Sequence, residues 1–349
     1  MLVLIRSICR HLFHTQKTHV NTPRVRLIDH TLAMHSAHAE FSFFGSSSRF
    51  FVTHPFRYLG IPHSMARGSC CVVYVREARH HVIERMKAIA GCVHNFRDEQ
   101  YNRTSFYFIS KDKNLLVQEV IKFCSQAYQM YDEDGDSDIK GSHPCLGFID
   151  NIAFSPLIRD SVIDFSDEKS MALNFCSSFQ DSKYAHIPFY LYNEASPTKR
   201  RLKDIRKSLG YFNNTNPLLS NEIVKHSNPD YYIEGVASDV NLLHYGVCCI
   251  GVMPLIVNFN IVINDHISKR SSIVQVTKEL REENAIEALT LNHGTNVEIA
   301  CNLLNGTYTP EQVTAKALSI IQRVDPSVII SDKYTTGPSV DELLKLLNM

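Results

Sequence analysis

The chain has 349 residues, of which 44% are hydrophobic and 21% are charged, and its 36 Lys and Arg balance its 36 Asp and Glu. This composition is typical of a globular protein with a buried core, and the zero net charge provides no overall field for nucleic acid or an anionic membrane. No run approaches the roughly 18–20 apolar residues of a membrane-spanning helix. We therefore expect neither a nucleic-acid partner nor a membrane partner.

Residues 1–68 differ from the rest of the chain. They contain 8 Lys or Arg and 8 of the 17 His, but only Asp29 and Glu40 as acidic residues. A basic, acid-poor segment is typical of an organelle transit segment. A disordered extension or a misplaced start codon is the alternative, because no apolar helical stripe is sustained there. We expect a cytoplasmic protein, or a mitochondrial or plastid protein if residues 1–68 are a transit segment; ten cysteines without a CxxC pair favour a reducing compartment.

From residue 69 the apolar pattern becomes regular. Strand-like runs are "CCVVYV", "CVHNFRDE", "RTSFYFIS" and "CLGFIDNIAF", and helical spacing appears in "EARHHVIERMKAIAG" and "NLLVQEVIKFCSQAYQMY". In chain order these elements are βαββαβ, which is the ferredoxin-like arrangement.

Residues 247–331 repeat this order. The run "VCCIGVMPLIVNFNIVI" is predicted as one strand, and Thr309 is predicted to cap the helix that follows it, with Pro310 in the first turn. The sequence therefore predicts an α/β (α+β) protein with two ferredoxin-like βαββαβ subdomains in tandem. We assign residues 1–68 to an N-terminal extension, 69–240 to the first subdomain and 241–349 to the second.

The segment between the two repeats contains a predicted helix at about 168–182, the strand "IPFYLYNE" and the basic helix "SPTKRRLKDIRKSLGYF". Six cations on this basic helix could form a nucleic-acid patch. We favour a solvated outer face, because no aromatic RNA-binding motif accompanies the cations. Residues 213–245, rich in Asn, Ser and Pro, are predicted to connect the two subdomains.

The acidic stretch "YDEDGDSDIKGSH" has the alternating aspartates of a calcium loop. An EF-hand beginning at Asp132 requires Gly at position 137 and Glu at position 143, where this chain has Ser137 and His143. We therefore predict a solvated loop without a metal ion.

His143 lies in "KGSHPCLGFIDN", before a predicted strand. Pro144 biases its backbone to an extended conformation, and Gly141 and Gly147 permit close approach of a ligand. A fixed imidazole with a pKa of about 6.5 suits general acid–base catalysis. The alternative is a structural histidine, which is the commoner role for a lone His. A zinc site would need further ligands at suitable spacing, and Cys145 as a nucleophile would need a partner base, so both rank lower.

Several segments together resemble one known family, in order and over residues 70–335. They are "YNRTSFYFIS", "GSHPCLGFIDNIAFSPL", "IPFYLYNEAS" with "RRLKDIRKSLGYF", "GVMPLIVNFNIVI" and "VEIACNLLN". They are similar to the formiminotransferase domain of formiminotransferase-cyclodeaminases, in particular to the stand-alone plant-type branch that lacks the cyclodeaminase domain.

The resemblance implies a transferase of histidine catabolism and one-carbon metabolism. It would move a formimino group from formiminoglutamate to tetrahydrofolate, the co-substrate, with these two small molecules as partners; a homodimer is compatible with it. His143 would be the general acid/base, and no metal would be required. The substrate-binding or folate-binding residues that the resemblance implies are Asn102, Arg103, Gly141, Ser142, Asp150, Asn260 and Asn302.

The chain departs from the family pattern at Cys145, where the family has an arginine after His-Pro, and at "VMP", where a basic residue is missing. Arg103 could supply the lost charge, alone or together with the basic helix. These departures leave a second hypothesis open, a folate-binding or interaction protein that keeps the fold without turnover.

Overall fold

The computed structural model describes residues 68–89, 91–136, 141–158, 163–213, 219–232, 239–263, 269–304 and 306–349. The predicted N-terminal extension, residues 1–68, lies outside the described residues except for Gly68, which begins the first strand. In the described ranges, every helix is too short or too polar to cross a membrane.

The first unit is built as predicted. Its elements are β1 (Gly68–Val75), α1 (His80–Lys87), β2 (Cys92–Asp98), β3 (Arg103–Ser110), α2 (Lys113–Asp134) and β4 (Ile149–Leu157). The strands lie in the order β2-β3-β1-β4, and each neighbouring pair is antiparallel. The predicted βαββαβ order of this unit is therefore confirmed.

The first sheet then grows by two strands. The further elements are α3 (Ser166–Gln180), β5 (Phe189–Asn193), α4 (Leu202–Ser208), α5 (Asn221–His226), α6 (Asp239–Tyr245) and β6 (Cys248–Val252). Strand β6 runs parallel to both β4 and β5, which makes a six-stranded sheet in the order β2-β3-β1-β4-β6-β5.

The prediction of one strand over "VCCIGVMPLIVNFNIVI" is wrong. The run is two strands, and its first part, β6, belongs to the first sheet although it follows residue 240, where the predicted first subdomain ends. Pro254 lies between the two strands and has no backbone N–H to continue a hydrogen-bond ladder. The chain therefore leaves the first sheet at this point.

The second unit repeats the first arrangement. Its elements are β7 (Val257–Ile263), α7 (Arg270–Leu280), β8 (Ile286–His293), β9 (Asn296–Leu303), α8 (Pro310–Val324) and β10 (Ile330–Thr335). The antiparallel order β10-β7-β9-β8 matches that of the first four strands. Thr309 caps α8 and forms a reciprocal capping box with Gln312, which confirms the predicted helix start.

In each sheet one face is covered by helices, and part of the opposite face meets the other sheet. In β1, for example, Cys71 and Val73 pack in the core beneath the helices, whereas the alternate residue Tyr74 lies on the opposite face. There the Tyr74 hydroxyl is 3.3 Å from Asn258 of β7, and Phe96 stacks on Tyr334 of β10 with a centroid separation of 6.0 Å. The surface between the two sheets is thus partly polar.

A last helix, α9 (Val340–Leu347), was not predicted from the sequence. It follows the second unit in the chain but packs on the first sheet, where Leu343 is fully buried beside Cys70, Val72 and Tyr107. The helix therefore ties the end of the second unit to the first sheet.

The prediction of a solvated acidic loop is wrong for its first part. Helix α2 continues to Asp134, and Asp132 accepts hydrogen bonds from the hydroxyls of Tyr184 (2.9 Å) and Tyr245 (2.7 Å). Residues 137–140 of this stretch lie outside the described residues.

Candidate functional site

A small cleft lies where strands β1 and β3 and the segment before β4 meet. Its empty volume is about 200 Å³. It is lined by Val75, Arg76, Tyr101, Asn102, Arg103, His143, Cys145 and Asp150. Four of the residues that the sequence predicts for the site, His143, Asn102, Arg103 and Asp150, therefore lie together, although up to 48 positions separate them in the chain.

The segment that carries His143 is held by close backbone packing. A Cβ atom at Gly141 would overlap the carbonyl of Tyr101, and one at Gly147 would overlap the backbone of Val247. The expectation that these glycines admit a ligand is wrong, since protein backbone already occupies the space beside both of them.

Ser142 anchors the same segment to the second unit. Its hydroxyl donates to the carbonyl of Asn292 at 2.7 Å, at the end of β8, and lies 3.3 Å from the carbonyl of Gln100. Gly141 and Ser142 are thus absent from the lining of the cleft. Their contacts fix the position of His143.

The imidazole of His143 has two competing partners at one nitrogen. Nδ1 is 2.7 Å from the carbonyl oxygen of Pro144 and 3.0 Å from Nη1 of Arg103. The carbonyl needs a proton on Nδ1, whereas the guanidinium needs a lone pair there, so Nδ1 can satisfy only one of them at a time. In the first tautomer Nε2 carries a lone pair, and in the second Nε2 carries a proton.

Burial and positive charge keep His143 neutral. Burial lowers the pKa of His143 most, and the charges of Arg103 and Arg206 lower it further, to about 3. The hydrogen bond to Pro144 and the charge of Asp150 oppose this shift. At neutral pH the imidazole is therefore uncharged and able to accept a proton.

Asp150, the second residue of β4, organises the cations of the site. Its Oδ1 accepts the backbone N–H of Leu146 at 2.8 Å, and its Oδ2 lies 3.1 Å from Arg103 and 3.3 Å from Arg206. Burial by itself would raise the pKa of this carboxyl, but the two guanidiniums and the N–H of Leu146 lower it below its ordinary value. Asp150 is thus an anion that fixes two arginines.

Arg206 corrects the prediction of a solvated basic helix. Its side chain is only 18% exposed, and its guanidinium lies 4.5 Å above the ring of Tyr211. Leu202, Ile205 and Leu209 mark the buried stripe of α4, and Arg206 is four residues after Leu202 on the edge of that stripe. This spacing is the signal that could have separated Arg206 from the other five cations.

Arg76 is a second arginine that sequence reasoning missed. It follows β1 and lines the cleft, with Nη2 at 3.1 Å from the hydroxyl of Tyr131 and 3.2 Å from Asp136. No motif marks it in the sequence, because its neighbours in space are 55 and 60 positions away.

Cys145 does not have the properties of a nucleophile. Burial raises the pKa of its thiol to about 11, so the thiolate that would attack a substrate is scarce at neutral pH. This agrees with the low rank that the sequence gives to nucleophilic catalysis by Cys145.

The two asparagines predicted from the second unit face the first sheet but lie outside the cleft lining. Asn260 donates to Glu298 at 3.0 Å and to the hydroxyl of Tyr334 at 3.2 Å. Asn302 accepts from Asn258 at 2.7 Å and donates to Glu287 at 3.3 Å. They belong to the polar surface between the sheets.

A buried polar cluster joins this surface to the cleft. Glu298 of β9 is fully buried and accepts hydrogen bonds from the hydroxyls of Tyr101 and Tyr334, both at 2.9 Å. His293 lies between Glu298 (3.3 Å) and Asp98 (3.0 Å). A single glutamate inside the apolar run "VEIAC" was the sequence signal for this cluster.

Tyr101 lies between the cluster and the cleft. Its ring makes edge contacts with His143 and His293, at centroid distances of 5.4 Å and 4.9 Å. Burial and the carboxylate of Glu298 raise the pKa of this tyrosine well above its ordinary value, so its hydroxyl stays protonated and donates to Glu298.

Comparison with known proteins identifies the relatives of this chain. A protein of Arabidopsis thaliana described as a formiminotransferase cyclodeaminase-like protein is 28% identical over 300 residues, which cover 79% of this chain and 95% of the relative. Residues 68–252, from the start of β1 to the end of β6, match the family described as formiminotransferase domain, N-terminal subdomain. Because this match covers more than half of the chain and spans the whole first sheet, the protein belongs to the formiminotransferase domain family.

Proposed function

We propose that the protein transfers a formimino group from formiminoglutamate to N5 of tetrahydrofolate. In this reaction N5 forms a bond to the formimino carbon, and the bond from that carbon to the glutamate nitrogen breaks. One proton leaves N5, and one proton joins the departing amine. A single imidazole near both nitrogens could carry out both transfers.

The observation that carries this proposal is the neutral, buried imidazole of His143 beside fixed cations. Arg76, Arg103 and Arg206 bring three guanidiniums to the site, against the buried carboxylate of Asp150 and the exposed carboxylate of Asp136. Both proposed substrates carry carboxylates, and guanidinium groups favour anions. The charge balance of the cleft therefore suits these substrates.

In the proposed mechanism, the Nδ1–H of His143 donates a hydrogen bond to the carbonyl of Pro144 and keeps its proton. Nε2 then accepts the proton that leaves N5. It then returns a proton to the glutamate nitrogen. In this tautomer Arg103, which Asp150 fixes, lies beside the same nitrogen without donating a hydrogen bond to it, and acts on the ring through its positive charge. A carboxylate bound near Arg103 would offset its positive charge and make the imidazole a stronger base in the complex than in the free protein.

The size of the cleft limits what it can hold. The cleft beside His143 is small, and its empty space of about 200 Å³ includes the solvent at its mouth. It suits the two reacting groups, and the remainder of a folate would extend beyond it. The neighbouring polar surface with Tyr74, Asn258 and Asn302 offers hydrogen-bonding groups for that remainder.

The test is an assay of the purified full chain with formiminoglutamate and tetrahydrofolate, with 5-formimino-tetrahydrofolate as the measured product. His143→Asn should lower kcat by about 10²- to 10⁴-fold, because it removes the group that accepts and returns the proton. His226→Asn, a control in exposed helix α5, should leave kcat unchanged. Equal activity of the two variants would contradict the role of His143.

A binding function without turnover is the second candidate. One observation favours it: a pKa of about 3 makes the free imidazole a weak base. If tetrahydrofolate raises the melting temperature but no product forms, the binding function is correct. A saturating ligand should add about 2.7 kcal/mol to stability at 100 times its dissociation constant.

A further inference from the structure

Arg76 enters the cleft from the end of β1, opposite the segment that carries His143. Its backbone N–H donates to the carbonyl of Phe148 at 2.7 Å, which fixes the position of its Cα beside β4. The side chain is 18% exposed and lines the same cleft as His143 and Cys145. A guanidinium is therefore held within the space where the proposed chemistry takes place.

The hydrogen bonds of Arg76 leave capacity for a ligand. Its Nη2 contacts Tyr131 and Asp136, but its buried Nε has no hydrogen-bond partner within the described part of the chain. A buried N–H without a partner costs free energy that a ligand oxygen could recover. Asp136 is 52% exposed, so its pairing with Arg76 is a surface ion pair that another carboxylate can replace at little cost.

The thiol of Cys145 leaves room for this guanidinium. Both residues line the cleft, and the positive charge of Arg76 acts on Cys145 to lower the pKa that burial raises. The formiminotransferase domains that this chain resembles have an arginine at the position of Cys145. In this chain a cation thus reaches the cleft from β1, while position 145 carries a small neutral side chain.

The chemistry of the donor places one carboxylate close to the reaction. In formiminoglutamate the α-carboxylate is two bonds from the nitrogen that departs, whereas the glutamate of a folate is separated from N5 by the aminobenzoyl group. Because Arg76 lines the same cleft as His143, a carboxylate close to the reacting nitrogens lies within its reach, whereas the reaction does not bring the distant folate carboxylate there. The α-carboxylate of the donor fits this position.

We propose that Arg76 binds the α-carboxylate of the formimino donor, which replaces Asp136 as the partner of the guanidinium. This inference rests on the proposed formimino transfer and names the residue that selects its donor. The guanidinium offers Nε and Nη2 as two parallel donors to the carboxylate, a geometry that lysine cannot reproduce. Arg76 is thereby a specificity-determining residue that the sequence motifs do not contain.

Steady-state kinetics with each substrate varied in turn test this inference. Arg76→Met should raise KM for formiminoglutamate about 10- to 100-fold, since a charge-assisted pair is lost, and should change KM for tetrahydrofolate less than about 2-fold. Asp136→Asn should lower KM for formiminoglutamate, because it removes the competing carboxylate. Arg85→Met, which removes an exposed ion pair with Asp134, is the matched control and should change neither KM.

The double variant Arg76→Ser with Cys145→Arg moves the cation across the cleft. We expect it to recover most of the affinity for the donor that Arg76→Ser alone loses, because a guanidinium at either position faces the same space. A rise in KM for tetrahydrofolate instead would assign Arg76 to a folate carboxylate and overturn the inference. An unchanged KM for both substrates in Arg76→Met would also overturn it.

Two further measurements keep the outcome interpretable. If Arg76→Met does not fold, Arg76→Lys is measured in its place. This variant keeps the charge but loses the two parallel N–H groups, so KM for formiminoglutamate should still rise at least about 5-fold. If the wild-type chain shows no turnover, calorimetric binding of formiminoglutamate replaces KM. Binding that Arg76→Met abolishes supports the carboxylate site while the transferase proposal fails; no binding to the wild-type chain overturns both.

Discussion

Two partly buried histidines lie on either side of Tyr101, and their surroundings have opposite charge. His143 faces the guanidinium of Arg103, whereas His293 lies between the carboxylates of Asp98 and Glu298. Cations favour the neutral form of an imidazole, and a neutral imidazole can accept a proton. Both nitrogens of His293 face carboxylate oxygens, at 3.0 Å for Asp98 and 3.3 Å for Glu298.

This difference shows how one residue type is given two roles. His143 keeps one nitrogen directed at a cleft and has a proton-free state, which is what acid–base chemistry needs. His293 uses both nitrogens to join β2 of the first sheet to β9 of the second sheet, and so acts as a structural link. Loss of His143 should affect turnover, and loss of the contacts around His293 should affect stability.

The largest expected effect on stability is at Glu298. Glu298→Ala should lower the free energy of unfolding by about 3 kcal/mol, because it leaves the buried hydroxyls of Tyr101 and Tyr334 and the amide of Asn260 without their acceptor. Urea denaturation would measure this loss.

Glu287→Ala is the matched control for that variant. This exposed glutamate of β8 accepts one hydrogen bond, from Asn302, and its loss should cost less than about 0.5 kcal/mol. Equal losses for the two variants would show that the buried cluster does not stabilise the contact between the sheets.

The second prediction concerns the pH dependence of stability. The pKa of His143 is lowered to about 3 in the folded protein, mainly by burial, against about 6.5 in an unfolded chain. Below pH 6.5 the unfolded chain binds a proton that the folded protein does not bind. The contribution of His143 to stability is therefore present above about pH 6.5 and is lost as the pH falls toward 3, by about 1.4 kcal/mol per pH unit.

Urea midpoints at about pH 7 and about pH 5 would measure this dependence. In His143→Asn the side chain does not titrate, so the loss of stability between the two pH values should be smaller than in the wild-type chain. If both proteins lose the same amount, His143 is not held in its neutral form.

The smallest expected effect is at Ser142, which connects the two regions. Ser142→Ala removes the hydrogen bond to the carbonyl of Asn292, next to His293, and should cost about 0.5–1 kcal/mol. The segment before His143 should also become less fixed, so kcat should fall by less than about 10-fold. Ser178→Ala, on the exposed face of α3, removes a hydrogen bond to Asn174 and should leave kcat unchanged. If kcat falls as much in Ser178→Ala as in Ser142→Ala, Ser142 has no special role in positioning His143.

Much of the fold could be predicted from the sequence because both units have strong periodic patterns. The continuous apolar run of β1 and the apolar spacing of α2 and α8 identified these elements. The boundary at β6 could not be predicted from pattern alone. A buried parallel strand and a following antiparallel strand form one apolar run there, and only the short segment 253–256, which contains Pro254, separates them.

The residues of the candidate site likewise divide into those that the sequence could identify and those that it could not. The resemblance pointed to His143, Asn102, Arg103 and Asp150, which lie near one another or in short motifs of the chain. Arg76, by contrast, reaches the cleft from a strand end with no motif. Arg206 was hidden among neighbouring cations: its spacing from Leu202 places it at the edge of a buried stripe, but its pairing with Asp150, 56 positions away, has no sequence signal. Long-range ion pairs of this kind leave no local pattern.

Helix α9 has a consequence for the order in which the molecule can form. An apolar part of the face of the first sheet that also carries Tyr74, with Cys70, Val72 and Tyr107, is covered by Leu343, a residue made after the whole second unit. During synthesis on the ribosome, that surface must stay bare while more than two hundred further residues emerge. The first sheet therefore reaches its final packing late. A nascent chain that stops before α9 would leave this apolar surface exposed to chaperones.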